Sequence, residues 1–358
     1  MANRWVLIFS DGTGQRGVRD DTSGKNSNVF RMLEAAEVAG HETFYDAGLG
    51  APRGTGEDWS SWGHRLLSKS TGLGISRNIA ECYAAIMQKW ADGKPVGLFG
   101  FSRGAYTVRS VGGVLSACGL PTSGFSKGNS SSETRQRYDI AREAVKIYQI
   151  KPADRKEKAD QFRTRYASAD LMPKAIGVFD TVRALGLPGV MDVFNPFKHT
   201  FHDNYLSKRV DIGLQAYAID ENRKVFKPEP WSDDKEDGSR VLEQVWFPGV
   251  HSDIGGGYAD DRQLADYALE WMTRRLKQTG DLDLSGGIVA GPEAILGTQH
   301  DERTGFGKFW IKGTREDVLD KVSRDDDPLC DDIEHRLTSI GRYRPRALRG
   351  HPRVTGIW

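Results

Sequence analysis

The feature that most constrains the fold is a run of ten residues, VGLFGFSRGA, from Val96 to Ala105. Small or apolar residues lead directly into Gly100 to Gly104, and an apolar helical pattern follows from Tyr106 to Cys118. A strand, a sharp turn and a helix in this order are typical of a nucleophile elbow, in which flanking glycines let strand and helix pass closely. The sequence therefore predicts Ser102 as a nucleophile.

The chain contains a second G-x-S-x-G match, from Gly124 to Gly128, with Ser126 at its centre. No apolar run precedes this match, and the polar stretch SSSE follows it. We interpret it as a flexible loop. A turn between strand and helix can also need small residues for packing alone, so the partners of Ser102 must decide its role.

The apolar segments of the chain alternate between strand and helix patterns. Short buried strands are predicted at 5–9, 43–45, 96–99, 175–179, 213–219 and 241–247, with helices between several of them. This alternation predicts an α/β fold with a doubly wound, mostly parallel sheet, whose ligands bind at the carboxyl ends of the strands. We expect a single domain over residues 1–358, with a charged helical cap insertion at 121–172 and an irregular C-terminal extension at 280–358 packed on it.

Charge and cysteine content argue against several classes of protein. Lys and Arg number 50 and Asp and Glu number 49, so the net charge of +1 favours neither nucleic acid nor an anionic membrane. The three cysteines lack the spacing of a zinc site or a disulfide framework. The apolar residues 5–9 are too few for a signal peptide, and no run approaches the ~18 residues of a membrane span. We therefore expect a cytoplasmic protein as synthesised, with no transmembrane segment and no nucleic-acid partner.

Three predicted strand ends carry Ser102, Asp180 and His251, in this order along the chain. A serine becomes a good nucleophile when an imidazole accepts its proton, and a carboxylate on the other ring nitrogen fixes the imidazole. The order Ser, acid, His is the one expected for the α/β-hydrolase fold. Asp220, at another strand end, is an alternative acid, and an Asx turn that closes a strand is the simpler role for either aspartate.

A fourth strand end carries the loop Ser10-Asp11-Gly12-Thr13-Gly14. We expect an oxyanion hole formed by the backbone N–H groups of Arg103, Gly12 and Thr13. Asp11 and Asp253 are expected beside the triad, where they would support it.

Two other functions stay open at this point. The first is a metal-dependent phosphoesterase, whose metal could be bound by the oxygen and nitrogen ligands of Asp11, Asp180, His251 and Asp253. A degenerate hydrolase used as a binding module is the second alternative. The serine mechanism requires no cofactor and no metal.

Four stretches resemble one known family: FSDGTG at 9–14, GFSRGAYTVRS at 100–110, GVFDTVRALG at 177–186 and VWFPGVHSDIGGGY at 245–258. They make the chain similar to the bacterial α/β-hydrolase domains that include the type VI secretion phospholipase effectors of the Tle1-like class. The resemblance implies a triad of Ser102, Asp180 and His251, which favours Asp180 over Asp220.

The resemblance also implies an activity. It predicts a serine esterase or lipase that cleaves carboxylic esters, in particular phospholipid acyl esters, through an acyl-serine intermediate. An ester or phospholipid substrate, peripheral contact with a membrane and delivery by a type VI secretion system follow from the same resemblance. For an effector, a secretion-apparatus or immunity partner is implied as well.

Overall fold

The computed structural model describes residues 4–48, 72–182, 206–232, 240–304, 310–316 and 328–358. Its centre is one sheet of six parallel strands in the order β2-β1-β3-β4-β5-β6. The strands are β1 (Val6–Ser10), β2 (Glu42–Asp46), β3 (Val96–Phe101), β4 (Ala175–Phe179), β5 (Ile212–Ala218) and β6 (Val241–Phe247).

Eight α-helices lie in the described part of the chain. They are α1 (Asn28–Val38), α2 (Gly72–Lys89), α3 (Arg103–Cys118), α4 (Ser131–Tyr148), α5 (Lys156–Arg165), α6 (His251–Gly255), α7 (Gln263–Gly280) and α8 (Ile333–Ser339). Short 3₁₀ turns lie at Pro152–Asp154, Pro292–Leu296, Arg346–Leu348 and Thr355–Ile357. None of the described helices combines the length and apolarity that a membrane span requires.

The four central strands of the sheet are buried on both faces, and their side chains alternate between two apolar clusters. In β1, Leu7 and Phe9 face the cluster built with α1 and α7, whereas Val6 and Ile8 face the cluster built with α2, α3 and α4. This follows from the period of two residues in a β-strand. Helices on both faces of a parallel sheet confirm the predicted doubly wound α/β fold.

The direction of winding changes between two neighbouring strands, β1 and β3. The chain runs from β1 outward to β2, and then returns across β1 to β3 and continues outward through β4, β5 and β6. Ligands of doubly wound sheets bind at the carboxyl ends of the strands beside such a switch point. The loop after β1 and the turn after β3, which hold most of the predicted site residues, lie there.

The predicted insertion at 121–172 contributes α4 and α5. Ser130 begins α4 with a capping box, because its hydroxyl accepts from the Glu133 N–H and Glu133 in turn accepts from the Ser130 N–H. Both helices pack against α3, and α4 also packs against α2. They therefore extend the helical layer on one face of the sheet, and the domain bounds around them stay a prediction.

The predicted extension at 280–358 lies outside the described residues at 305–309 and 317–327. Its described part packs on the first apolar cluster through Ile333, Leu337 and Leu348. It also continues the sheet edge, since Trp246 in β6 donates to Pro328 O at 2.7 Å and accepts from the Cys330 N–H at 3.0 Å.

Candidate active site

Ser102 lies at a strained turn between β3 and α3. Its φ of 57° and ψ of −119° lie outside the regions that most residues adopt, and its N–H donates to Phe179 O at the end of β4 at 3.0 Å. The helix begins at Arg103, three residues earlier than its apolar pattern indicates, because it follows the turn directly. Strand, turn and helix have the geometry of a nucleophile elbow.

The two glycines of the motif are required by close packing. A Cβ atom on Gly100 would lie 2.6 Å from the backbone of Gly104, and one on Gly104 would lie 2.0 Å from Ser10 O. The start of α3 therefore contacts the end of β1 directly. This contact brings the loop after β1 beside Ser102.

His251 connects the serine to an aspartate. Its Nε2 lies 2.7 Å from Ser102 Oγ, and its Nδ1 lies 2.6 Å from Asp180 Oδ2. All three side chains are buried. The structure thus joins the three residues that the sequence predicted as a triad, although 149 residues separate Ser102 from His251.

Aromatic packing and a backbone hydrogen bond fix the position of His251. The Phe101 and Phe226 ring centroids lie 4.6 and 4.8 Å from the imidazole centroid, and the His251 N–H donates to Glu221 Oε2 at 3.2 Å. Asp253 accepts from the Val250 N–H at 2.9 Å, which closes the turn before α6. Two aromatic rings and a backbone hydrogen bond therefore hold His251 in place.

Asp180 has a second partner, the guanidinium of Arg315. The Nη1 and Nη2 atoms of Arg315 each lie 3.0 Å from one carboxylate oxygen, so the pair is bidentate, and both side chains are buried. Asp180 Oδ1 also accepts from the Ala218 N–H at 3.1 Å. Asp180 adopts a φ of 37°, a left-handed conformation that aspartate tolerates better than most residues.

These contacts keep Asp180 ionised. Burial would raise the pKa of its carboxyl group, but the Arg315 guanidinium and the His251 hydrogen bond outweigh burial and lower the pKa to about 2. Because the folded pKa is below the ordinary value of 3.8, these contacts stabilise the fold fully above that pH, and the contribution is lost as the pH falls through about 2.

Asp220, the alternative acid, does not contact the imidazole. Its carboxylate accepts from the Gly249 N–H at 2.7 Å and from the Tyr343 hydroxyl at 2.9 Å. Burial raises its pKa to about 6 despite these hydrogen bonds. The geometry therefore gives Asp220 a role in the turn that precedes His251 and places Asp180 on the ring.

The loop after β1 differs from its prediction at one position. The Gly12 N–H donates to the carboxylate of Asp11 at 2.8 Å, so it is not available to an oxyanion, which corrects the expectation for Gly12. Asp11 also accepts from Ser27 Oγ at 2.6 Å and Tyr45 Oη at 2.8 Å, and burial raises its pKa. Asp11 thus anchors the loop to α1 and β2.

The other two oxyanion candidates keep their expected positions. Arg103 is the first residue of α3, where a helix leaves its backbone N–H groups without intrahelical acceptors. Thr13 is buried in the loop beside this helix start. The assignment of an oxyanion hole to these two N–H groups stays a prediction.

The four residues of the metal alternative do not form one cluster. Asp253 is bonded to His300, with 2.5 Å between Oδ1 and Nδ1, whereas Asp11 is held by Ser27 and Tyr45. Among the described residues, no three His, Cys, Asp or Glu side chains are grouped as a metal site. The geometry therefore gives the metal-dependent mechanism no support.

Sequence reasoning missed Arg315 and Glu221. Arg315 lies 135 residues after its partner Asp180, in the short segment 310–316, which has no periodic pattern. That segment is held by hydrogen bonds from Gly313 N to Asn222 O at 2.8 Å and from Lys224 N to Ile311 O at 2.9 Å. No local signal in the sequence distinguishes Arg315 from the chain's other arginines.

A fully parallel sheet with helices on both faces, and an elbow after its third strand, define the class of this protein as an α/β-hydrolase fold. Within this class, residues 4–275 match the family described as T6SS, phospholipase effector Tle1-like, catalytic domain. The chain belongs to this family, which confirms the resemblance inferred from the four motifs. Membership makes it a hydrolase of the phospholipase effector kind.

Two solved structures are similar to the chain at low identity. Esterase 2 of Thermogutta terrifontis, phosphoramylated by tabun, is 12% identical with a TM-score of 0.37, and the match covers 78% of this chain and 85% of the esterase. Acyl-protein thioesterase 2 of Zea mays is 10% identical with a TM-score of 0.33, and the match covers 77% and 95% of the two chains. A comparison with curated protein sequences found no significant match. The fold assignment rests on the sheet and the family match.

Proposed function

We propose that the chain is a serine hydrolase that cleaves carboxylic esters, in particular the acyl esters of phospholipids. The observation that carries this proposal is the continuous hydrogen-bonded series of Ser102, His251 and Asp180, with 2.7 and 2.6 Å between its heavy atoms. Membership in a phospholipase effector family supports the substrate class.

In the proposed reaction, Ser102 Oγ attacks the ester carbonyl carbon while His251 Nε2 accepts the serine proton. The resulting oxyanion accepts hydrogen bonds from the Arg103 and Thr13 N–H groups. Collapse of this intermediate breaks the bond to the alcohol, which leaves with the proton from His251, and an acyl-serine remains. Water then attacks the acyl carbon with His251 as base, and the fatty acid and free Ser102 are released.

Asp180 accepts the Nδ1–H of His251, which fixes the tautomer that leaves Nε2 free to accept a proton. Arg315 holds both carboxylate oxygens, so Asp180 cannot rotate away from the ring. The same guanidinium opposes the positive charge that forms on the imidazole during the reaction. Arg315 is therefore a positioning residue that acts through Asp180.

The test of the proposed function is labelling by a fluorophosphonate, which reacts with activated serines. We expect one covalent adduct, located by mass spectrometry on Ser102, with and without a chelator. A chain that turns over esters, gives no adduct and loses activity with the chelator would support the metal-dependent mechanism. No adduct and no turnover would support the binding module.

Replacement of Arg315 by methionine should lower kcat/KM for ester hydrolysis roughly 10- to 100-fold, because a small displacement of a catalytic group has an effect of this size. The loss should appear mainly in kcat, because Arg315 acts through Asp180 and His251. Arg315→Lys keeps the charge and loses the bidentate pair, so it should lower kcat less than Arg315→Met does.

The matched control for this change is Arg274→Met, which removes an arginine from a partly buried pair with Glu270 on α7. Its kcat and KM should equal those of the wild type. Arg315→Met values that match those of the control would contradict the positioning role.

Delivery by a type VI secretion system and binding to an immunity partner belong to the same proposal. Both are supported by the family match.

A further inference from the structure

Arg223 and Glu221 form a buried ion pair in the loop that follows β5. Arg223 Nε donates to Glu221 Oε1 and Arg223 Nη2 donates to Glu221 Oε2, each at 2.8 Å, so the pair is bidentate. The two side chains are 1% and 0% exposed. Burial would raise the pKa of the Glu221 carboxyl group, but the guanidinium outweighs burial and lowers the pKa below its ordinary value of 4.5. Both groups are therefore charged at neutral pH.

The Glu221 carboxylate is also the acceptor for the backbone of His251. Its Oε2 accepts from the His251 N–H at 3.2 Å, and its Oε1 accepts from the backbone N–H of Arg223 at 2.8 Å. Together with the two guanidinium contacts, Arg223 thus supplies three of the four hydrogen bonds that this carboxylate accepts. The carboxylate cannot rotate away from His251 while Arg223 holds it.

The same guanidinium packs on an aromatic ring that contacts the imidazole. Its central carbon lies 3.7 Å from the ring centroid of Phe226, within the range of a cation–π contact. The Phe226 centroid lies 4.8 Å from that of the His251 ring, with 66° between the two planes. Arg223 therefore supports His251 in two ways, through a carboxylate on its backbone and through a ring on its imidazole.

A third contact fixes Arg223 itself. Its Nη1 donates to Glu302 Oε2 at 3.2 Å, and the other oxygen of Glu302 accepts from the Tyr258 hydroxyl. All three nitrogens of the guanidinium are therefore bonded to carboxylates. The planar group has a single orientation that satisfies these contacts, so its position is determined by segments far apart in the sequence.

Stability alone does not account for this pair. Two buried charges lose their hydration, and this cost cancels much of their attraction, so a buried ion pair contributes little to the net free energy of unfolding. Such a pair does fix the orientation of its neighbours. Catalytic groups must be held within about 0.5 Å of their productive position, which gives a rigid contact beside an imidazole a value in kcat.

We propose that Arg223 is a positioning residue for His251, because its guanidinium holds the Glu221 carboxylate on the His251 backbone and the Phe226 ring on the imidazole. The inference rests on the proposed function, in which His251 is the base. It differs from the role of Arg315, which acts on the imidazole through Asp180.

The experiment compares two variants of the full chain, Arg223→Met and the double variant Glu221→Gln/Arg223→Met. The single change leaves the Glu221 charge buried without its partner, so it should lower the Tm and kcat together. The double change removes both charges and keeps an oxygen that can accept from the His251 N–H, so most of the Tm should return. We expect its kcat for dihexanoylphosphatidylglycerol to stay roughly 10-fold or more below the wild type, with KM changed much less, because the rigid support of His251 is gone.

The matched control is Glu243→Gln/Arg275→Met, which replaces a partly buried ion pair between β6 and α7 in the same way. Its kcat should equal that of the wild type. If kcat returned together with the Tm in Glu221→Gln/Arg223→Met, the pair would have a structural role only, and the inference would be overturned.

The position of His251 can also be measured without turnover. The proton between His251 Nδ1 and Asp180 Oδ2, which are 2.6 Å apart, should give a downfield proton NMR resonance that is assigned by its loss in His251→Ala. In Glu221→Gln/Arg223→Met this resonance should broaden or vanish, because a mobile ring lets the proton exchange with water. A resonance as sharp as that of the wild type would overturn the inference. A wild type that gives no fluorophosphonate adduct would instead contradict the proposed function, and the NMR comparison would still test the position of His251.

Discussion

Replacement of Ser102 by alanine is expected to lower kcat for ester hydrolysis by at least ~10³-fold and leave the fold intact. In the proposed mechanism the hydroxyl forms the acyl intermediate, so its removal would leave only the proposed oxyanion hole and substrate binding to accelerate the reaction. Alanine should also fit at this position, because it is smaller than serine. The Ser102 hydroxyl is hydrogen-bonded to His251 alone among the described residues, so its removal breaks no other contact of the turn. The measurement is the release of fatty acid from dihexanoylphosphatidylglycerol, with circular dichroism to confirm the fold.

The chain offers a matched control in its second G-x-S-x-G motif. Ser126 lies in an exposed loop between α3 and α4, where its hydroxyl donates to Glu133 and no histidine is in contact among the described residues. Ser126→Ala should therefore hydrolyse the ester at the wild-type rate. Equal losses from the two alanines would contradict the assignment of the elbow.

Replacement of Asp180 by asparagine should lower kcat roughly 10²- to 10⁴-fold. The neutral amide no longer stabilises the imidazolium, and its NH₂ group favours the wrong histidine tautomer. The change also leaves Arg315 buried without its carboxylate, so the free energy of unfolding should fall as well. Steady-state kinetics and a denaturant titration on the same preparation would separate the two effects.

The control for Asp180→Asn is Asp220→Asn, at the alternative acid. An asparagine oxygen still accepts from the Gly249 N–H, so the turn before His251 should persist and kcat should fall less than tenfold. A larger loss from Asp220→Asn than from Asp180→Asn would reverse the assignment of the acid.

The sequence predicts those structural features that depend on residues close to one another along the chain. The apolar run and two glycines around Ser102 predicted the elbow because the packing of Gly100 on Gly104 is local. The alternation of strands and helices predicted the sheet for the same reason. The convergence of Ser102, Asp180 and His251 was predicted from parallel strands, whose carboxyl ends share one edge of the sheet.

The rest of the site depends on contacts that no local pattern records. The Gly12 N–H could donate either to the Asp11 side chain or to an oxyanion, and the loop sequence is compatible with both. In the structure it donates to Asp11. The choice between Asp180 and Asp220 depends on which carboxylate reaches the imidazole. Arg315 and Glu221 meet the triad only after distant segments have packed, so their residue types alone gave no signal.

The pairing of Arg315 with Asp180 has a practical consequence for recombinant work on this family. The region that matches the family ends at residue 275, and Arg315 lies 40 residues beyond that boundary. An expression clone that stops where the similarity stops would contain Ser102, Asp180 and His251 and would still lack the cation that holds the carboxylate. Domain limits drawn from sequence similarity would thus cut through the proposed catalytic centre, and a weakly active or insoluble product of such a clone would misrepresent this protein.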